Sequence, residues 1–288
     1  MRDGKAASAA FLLSRLSREE KMKQYIVDAF TNVPGRGNPA AVCLLEDWPA
    51  AELMQQLARK NGLSETAFLV KDAEGYRIRW FTPENEEVLC GHATLASSFV
   101  LFSFIEPEKE RLHFYSRSGE LTVTRRGAFY EMDFPTYPLE EIPVTDEMER
   151  AFGVRPVKAI MSLDLICVFE TEEQVRALKP DQARLLKLAG RGQNATARGR
   201  EFDCVSRSFF PIDDIAEDPV CGSAHCQIAA YWSKVLGKRE IEAYQASERG
   251  GTLHCTLLEN GRILISGEAV LERTEEIEFP LTDWREAD

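Results

Sequence analysis

Two Cys-Gly pairs, Cys90-Gly91 and Cys221-Gly222, are the residues of this 288-residue chain best placed to do chemistry. Each opens a run that is almost wholly apolar, 92–104 and 223–236, and a helix apolar around its circumference is a buried one. The start of a helix offers free backbone N–H groups and the positive end of the dipole, so a small carboxylate is the ligand such a position favours. Glycine at Gly91 and Gly222 lets that ligand approach the backbone closely. The same field is expected to lower a cysteine's pKa toward thiolate, which makes Cys90 and Cys221 candidate proton-transfer groups. The plain alternative for each is a small buried core thiol.

Other residues could join them. Glu65, in Leu63-Ser64-Glu65-Thr66-Ala67-Phe68, is an acid at the start of a strand whose other residues read as buried, hence a candidate base or an edge-exposed acid. His92 is a candidate acid, base or helix N-terminal hydrogen-bonder. Asp218 precedes Pro219 just ahead of the second Cys-Gly, and Asn38 sits in the Gly37-Asn38-Pro39-Ala40 segment; either could serve only a turn.

The elements that must position these groups are mostly strands. Runs 24–30, 40–45, 65–70, 76–81, 111–116, 120–125, 129–133, 203–209, 253–258 and 262–266 are β-branched or aromatic and bounded by turns. A third helical pattern, 50–61, places Leu53, Met54, Leu57 and Ala58 on one face and stops at Gly62. Pro135, Pro138 and Pro143 mark a linker, because proline continues neither a helix nor an interior strand. Across it lies a repeat: Arg79-Trp-Phe-Thr-Pro83 followed by Cys90-Gly91, and Arg207-Ser-Phe-Phe-Pro211 followed by Cys221-Gly222. A spacing of about 130 residues points to duplication of a whole domain rather than a solenoid. The expected organisation is a leader helix over 1–21, with Met22 opening the domain proper, a first half over 22–137, and a second over 138–288 whose last strand could return to the first.

A net charge of -12 argues against nucleic acid and anionic lipid surfaces as partners. No apolar run reaches the 18 or more residues of a membrane span. Seven scattered cysteines without a CxxC pair read as reduced thiols of a cytoplasmic protein, with neither a disulfide framework nor a zinc-ligand pattern.

Taken together, VDAFTNVPGRGNPAAV (27–42), LSETAFL (63–69), RWFTPENEEVLCGHATLAS (79–97), EDPVCGSAHC (217–226), RGGTL (249–253) and GRILISGEAV (261–270) resemble the phenazine-biosynthesis (PhzF-like) family, relatives of diaminopimelate epimerase. The resemblance implies an α+β fold of two similar domains, each a barrel-like, mostly antiparallel sheet around a central apolar helix. It also implies cofactor- and metal-independent proton transfer and, by family habit, a homodimer. The family's base matches Glu65, and residues lining its site match His92, Asp218 and Ser223. Family members often have threonine at the position of Cys221, and the epimerase-type Cys-Gly-Asn-Gly is absent, since His92 and Ala93 follow Gly91.

Three readings follow. In the first, Glu65 moves a proton on a small carboxylate or amino-acid-like metabolite, with His92 and Asp218 orienting it and Ser223 and the Gly91 and Gly222 amides holding its carboxylate. In the second, Cys90 and Cys221 act as paired bases of an epimerase or racemase. In the third, the chain binds a metabolite or partner without turnover.

Overall fold

In the computed structural model, which describes residues 19–280, eighteen strands among the described residues join into one continuous sheet. The first eight are β1 (Glu19–Ala29), β2 (Asn38–Leu45), β3 (Glu65–Lys71), β4 (Tyr76–Phe81), β5 (Glu86–Glu87), β6 (Arg111–Ser116), β7 (Gly119–Arg126) and β8 (Phe129–Pro135). β2 and β3 are parallel, joined through helix α1 (Ala51–Asn61), and β4 and β6 are parallel, joined through helix α2 (Gly91–Val100). The remaining pairings of this set are antiparallel.

After helix α3 (Asp146–Phe152), the second set repeats every pairing in the same sense: β10 (Lys158–Met161), β11 (Leu165–Val168), β12 (Gln193–Arg198), β13 (Cys204–Phe210), β14 (Ile215–Asp218), β15 (Glu240–Gln245), β16 (Gly251–Leu257) and β17 (Arg262–Gly267). Two short helices, α4 (Glu172–Ala177) and α5 (Gln182–Leu185), take the place of α1, and α6 (Gly222–Leu236) takes the place of α2. The last strand of each half crosses over. β9 (Glu140–Ile142) pairs with β10, and β18 (Ala269–Pro280) pairs with β1, while β8 and β17 join the halves directly.

Sequence expectations and structure differ at several places, among them the strands β5, β14 and β15 and the helices α3, α4 and α5, which no sequence expectation covers. β1 begins at Glu19, so Glu19, Glu20 and Lys21 belong to the strand pairing with β18 and not to a leader; the amphipathic pattern before them lies outside the described residues. Helix α2 is α-helical only to Val100 and continues as a π-helical turn over Leu101–Ile105. The segments now seen as β9 to β12 gave no strand signal, because they are short and, in β12, carry the buried polar residues Gln193, Asn194 and Thr196.

Burial of α2 is complete enough to demand internal partners for its polar side chains. Thr94, Ser97 and Ser98 hydrogen-bond back to the carbonyls of Cys90, Ala93 and Thr94 at 2.5, 2.7 and 2.8 Å. In α6, His225 reaches the Cys221 carbonyl at 2.7 Å and Ser206 Oγ at 3.0 Å, and burial lowers its pKa to about 4, so it is a neutral core residue. No helix among the described residues is long and apolar enough to cross a membrane.

The loop between β1 and β2 closes tightly. Gly37 has φ of 65°, and a Cβ there would stand 2.2 Å from the Ala29 carbonyl oxygen, which is backbone and cannot yield. Gly37→Ala is therefore expected to cost more than the 1–2 kcal/mol or so of left-handed strain alone. Gly35→Ala, at φ 83° but facing open space, is the control that should lose only the strain when both are unfolded in denaturant.

Candidate active site

Parallel pairing brings the two candidate polar residues of the first half to one end of the sheet: Asn38 opens β2, Glu65 opens β3, and Ala40 lies opposite Glu65. The Cys-Gly turn of each half is anchored by a two-pronged ion pair. Arg79 forks onto Glu86 at 2.7 and 2.8 Å, and Arg207 forks onto Glu217 at 2.7 Å through both prongs. These are the same residues of the sequence repeat, and bidentate pairing fixes geometry as well as charge. Helices α2 and α6, which the turns lead into, touch each other.

Across the junction of the halves, Asn38 donates to Asp218 Oδ1 at 2.8 Å and to the Val220 carbonyl at 3.0 Å. The Val220 N–H also donates to Asp218 at 3.0 Å. Gln245 then clamps the second turn, accepting from the Cys221 N–H at 2.8 Å and donating to the Asp218 carbonyl at 2.6 Å. Cys90 hydrogen-bonds to Glu65, and its sulfur lies 3.4 Å from His92 Nδ1. In the second half, Cys221 hydrogen-bonds to Asp218 and lies 3.4 Å from Ser223 Oγ. Each half thus offers a thiol paired with a carboxylate at a helix start.

The electrostatics follow from burial. Glu65 is 6% exposed, and burial pushes its carboxyl well above the usual carboxylate range, with the charges of Glu87 and Asp218 adding to the rise and the Cys90 hydrogen bond opposing it. Asp218 keeps a partial opening to solvent, yet burial of its carboxyl raises it to about 6. His92 is lowered to about 3 by burial and is neutral at physiological pH. The thiols depart from expectation. Burial raises Cys90 and Cys221 well above the ordinary value, and for each the largest Coulombic contribution is a carboxylate, Glu65 or Asp218, so desolvation outweighs the helix field and both are thiols rather than thiolates.

Three buried atoms here have no hydrogen-bond partner among the described residues: Glu65 Oε2, His92 Nε2 and Asn38 Oδ1. Buried polar atoms are nearly always hydrogen-bonded, so unspent capacity converging on one place marks where a ligand's polar groups belong. The sequence-predicted residues Glu65, Cys90, Gly91, His92, Asn38, Asp218, Cys221, Gly222 and Ser223 are all brought to this junction. Among the described residues, no group of three or more His, Cys, Asp or Glu side chains is arranged to hold a metal ion.

Sequence reasoning missed Glu87 and Arg191. Glu87 precedes Cys90 by three residues as Asp218 precedes Cys221, a signal present in the repeat, and burial raises its pKa as well. Arg191 lies 30 residues before Cys221 with no flanking motif, yet its guanidinium donates to Ser223 Oγ at 2.9 Å and forks onto Asp164 at 3.0 and 3.2 Å.

Comparison with known proteins agrees with the fold. The profile of the family described as phenazine biosynthesis-like protein matches residues 27–275. A Pseudomonas aeruginosa protein named an uncharacterized isomerase is 50% identical over 246 residues, covering 85% of this chain and 94% of the relative. A crystal structure of an Enterococcus faecalis PhzF-family protein superposes with a TM-score of 0.87 at 47% identity, covering 90% of this chain and 99% of that one. A Pseudomonas aeruginosa structure described as a predicted epimerase shares the fold, with a TM-score of 0.68 at 22% identity over 91% of this chain and all of that one.

Proposed function

The chain belongs to the phenazine biosynthesis-like family, and from that premise we propose that it is an isomerase moving a proton on a small carboxylate or amino-acid-like metabolite, with Glu65 as general acid and base. The observation that carries this reading is the Glu65 carboxyl itself: buried, with Oε2 unpartnered, its pKa lifted toward the range where one group can both take and return a proton. A carbon acid held between the two helix starts would lose its proton to Glu65 and regain it at another carbon from the same group. Asp218, fixed by Asn38, and the neutral His92 would orient the substrate, and the Gly91 and Gly222 amides with Ser223 would hold its carboxylate. Protons balance within the step, and no cofactor is called for.

The paired thiol–carboxylate arrangement supports a second reading, in which Cys90 and Cys221 exchange protons on opposite faces of one carbon, each thiol relaying to its carboxylate.

Deuterium wash-in tests both. The protein is incubated in heavy water with small amino acids and cyclic carboxylates, and C–H signals are followed by NMR. Exchange should appear in one substrate class and should rise with pH. The sign follows from the shift: Glu65 must be ionised to act as base, and its raised pKa moves that limb above the ordinary glutamate range. Asp218, near 6 and coupled to Glu65, shares the limb, so the profile belongs to the pair. Exchange that is flat from pH 4 to 8 would remove Glu65 from the role.

A further inference from the structure

The two halves repeat the same pairings, so positions in them can be equated through strand register. Arg79 lies opposite Phe68 and Arg207 opposite Ala195. With Arg79 and Arg207 equivalent, Glu65 corresponds to Gly192 and Ser64 to Arg191. The half that holds the base thus holds no cation there, and the half that holds the cation has lost the base. Each of the two residues serves the helix start of its own half: Glu65 bonds to Cys90 before α2, and Arg191 bonds to Ser223 in the first turn of α6.

Arg191 is held as a built group. Its anchor, Asp164, is completely buried and is itself fixed by Gln227, which donates to it at 2.7 Å and accepts from its backbone N–H at 2.8 Å. The Phe210 ring lies beneath the guanidinium, 5.1 Å from centroid to Cζ. Nε and Nη2 are committed to Asp164 and Ser223, whereas Nη1 has no protein partner among the described residues, and the side chain is 40% exposed. A fixed planar cation with a free N–H beside a serine hydroxyl and open helix amides suits a carboxylate.

Resting on the proton-transfer reading above, we infer that Arg191 is a substrate-binding residue that selects for a carboxylate. Together with Ser223 and the Gly222 amide it seats that group at the second half, so that the labile C–H is presented across the junction to Glu65. The duplicated halves have divided the work, anion recognition in one and proton transfer in the other.

The test is binding, measured by ligand-observed NMR with matched pairs: cyclopentane-, cyclohexane- and pyrrolidine-carboxylates, each beside its carboxamide. The parent should prefer the carboxylate at least tenfold in one pair. Arg191→Gln should bring that ratio below threefold, and Arg191→Lys should keep part of it. Because Arg191→Gln leaves Asp164 buried without its cation, the double variant Asp164→Asn/Arg191→Gln is measured as well and should show the same collapse. Glu65→Gln should retain the preference. No preference in the parent, or a preference that survives in the double variant, overturns the inference. Absence of deuterium exchange in a parent that does prefer the carboxylate would count against the proton-transfer reading alone.

Discussion

Glu65→Gln lowers deuterium exchange by about 100- to 10,000-fold, the span expected when a positioned general acid–base is removed. The substitution keeps shape and one hydrogen-bonding oxygen but cannot accept a proton from carbon. Cys90→Ala and Cys221→Ala should leave most exchange in place if Glu65 is the base, and the order reverses if the thiols are. The same variant should gain stability at high pH. A group whose folded pKa is raised contributes stability below its ordinary pKa and loses it as pH rises through the folded value. With Glu65 raised, the parent should weaken with rising pH, and the glutamine variant should weaken less. Thermal unfolding from pH 5 to 9 reads this directly, and parallel curves for parent and variant would show that Glu65 is not buried as an acid.

Arg249→Met should destabilise the fold by about 3–5 kcal/mol, the cost of leaving a buried charge without its partner. Arg249 comes from the turn before β16 and bonds to Asp28 of β1 at 2.5 Å, to the Gly37 carbonyl at 2.8 Å and to the Arg36 carbonyl at 3.0 Å. Asp28 is completely buried, and its other oxygen accepts from the Gly35 N–H at 2.7 Å. Burial already raises the Asp28 pKa despite Arg249, so the orphaned carboxyl would take up a proton. This knot holds the loop that ends at Asn38, and exchange should therefore fall along with stability. The pair Asp28→Asn/Arg249→Met removes the charge with its partner and should recover much of the stability. A single variant that unfolds at the parent's denaturant midpoint would show that the pair is not structurally important.

Much of this was readable from residue types. The apolar runs after Cys90 and Cys221 could only be buried helices, and Gly62 ends α1 with φ of 60° as its position after Lys60 and Asn61 suggested. The repeated Arg, Pro and Cys-Gly signals marked the duplication because each has a local physical role. What could not be read depended on distant partners. The RGGTL segment was visible as a motif, but its reason is that a Cβ on Gly251 would meet Val220 at 2.5 Å and the Phe30 carbonyl at 2.9 Å. Arg191 becomes meaningful only beside Ser223, and no spacing rule joins them. The thiol pKa was misjudged because the helix field is a local property, whereas burial is set by the whole core.

The exchange of β9 and β18 bears on how such a chain could have arisen. A half standing alone would carry one unpaired sheet edge and one unplaced strand, and two identical copies would satisfy both needs by trading strands with each other. In that symmetric pair every residue would occur twice around the axis, so a base and a cation could not occupy equivalent positions on its two sides. Joining the copies through residues 143–157, between β9 and β10, released that constraint. Serine at 64 could then stand where the other half has Arg191, and Glu65 where it has Gly192, which is the asymmetry a directional reaction needs.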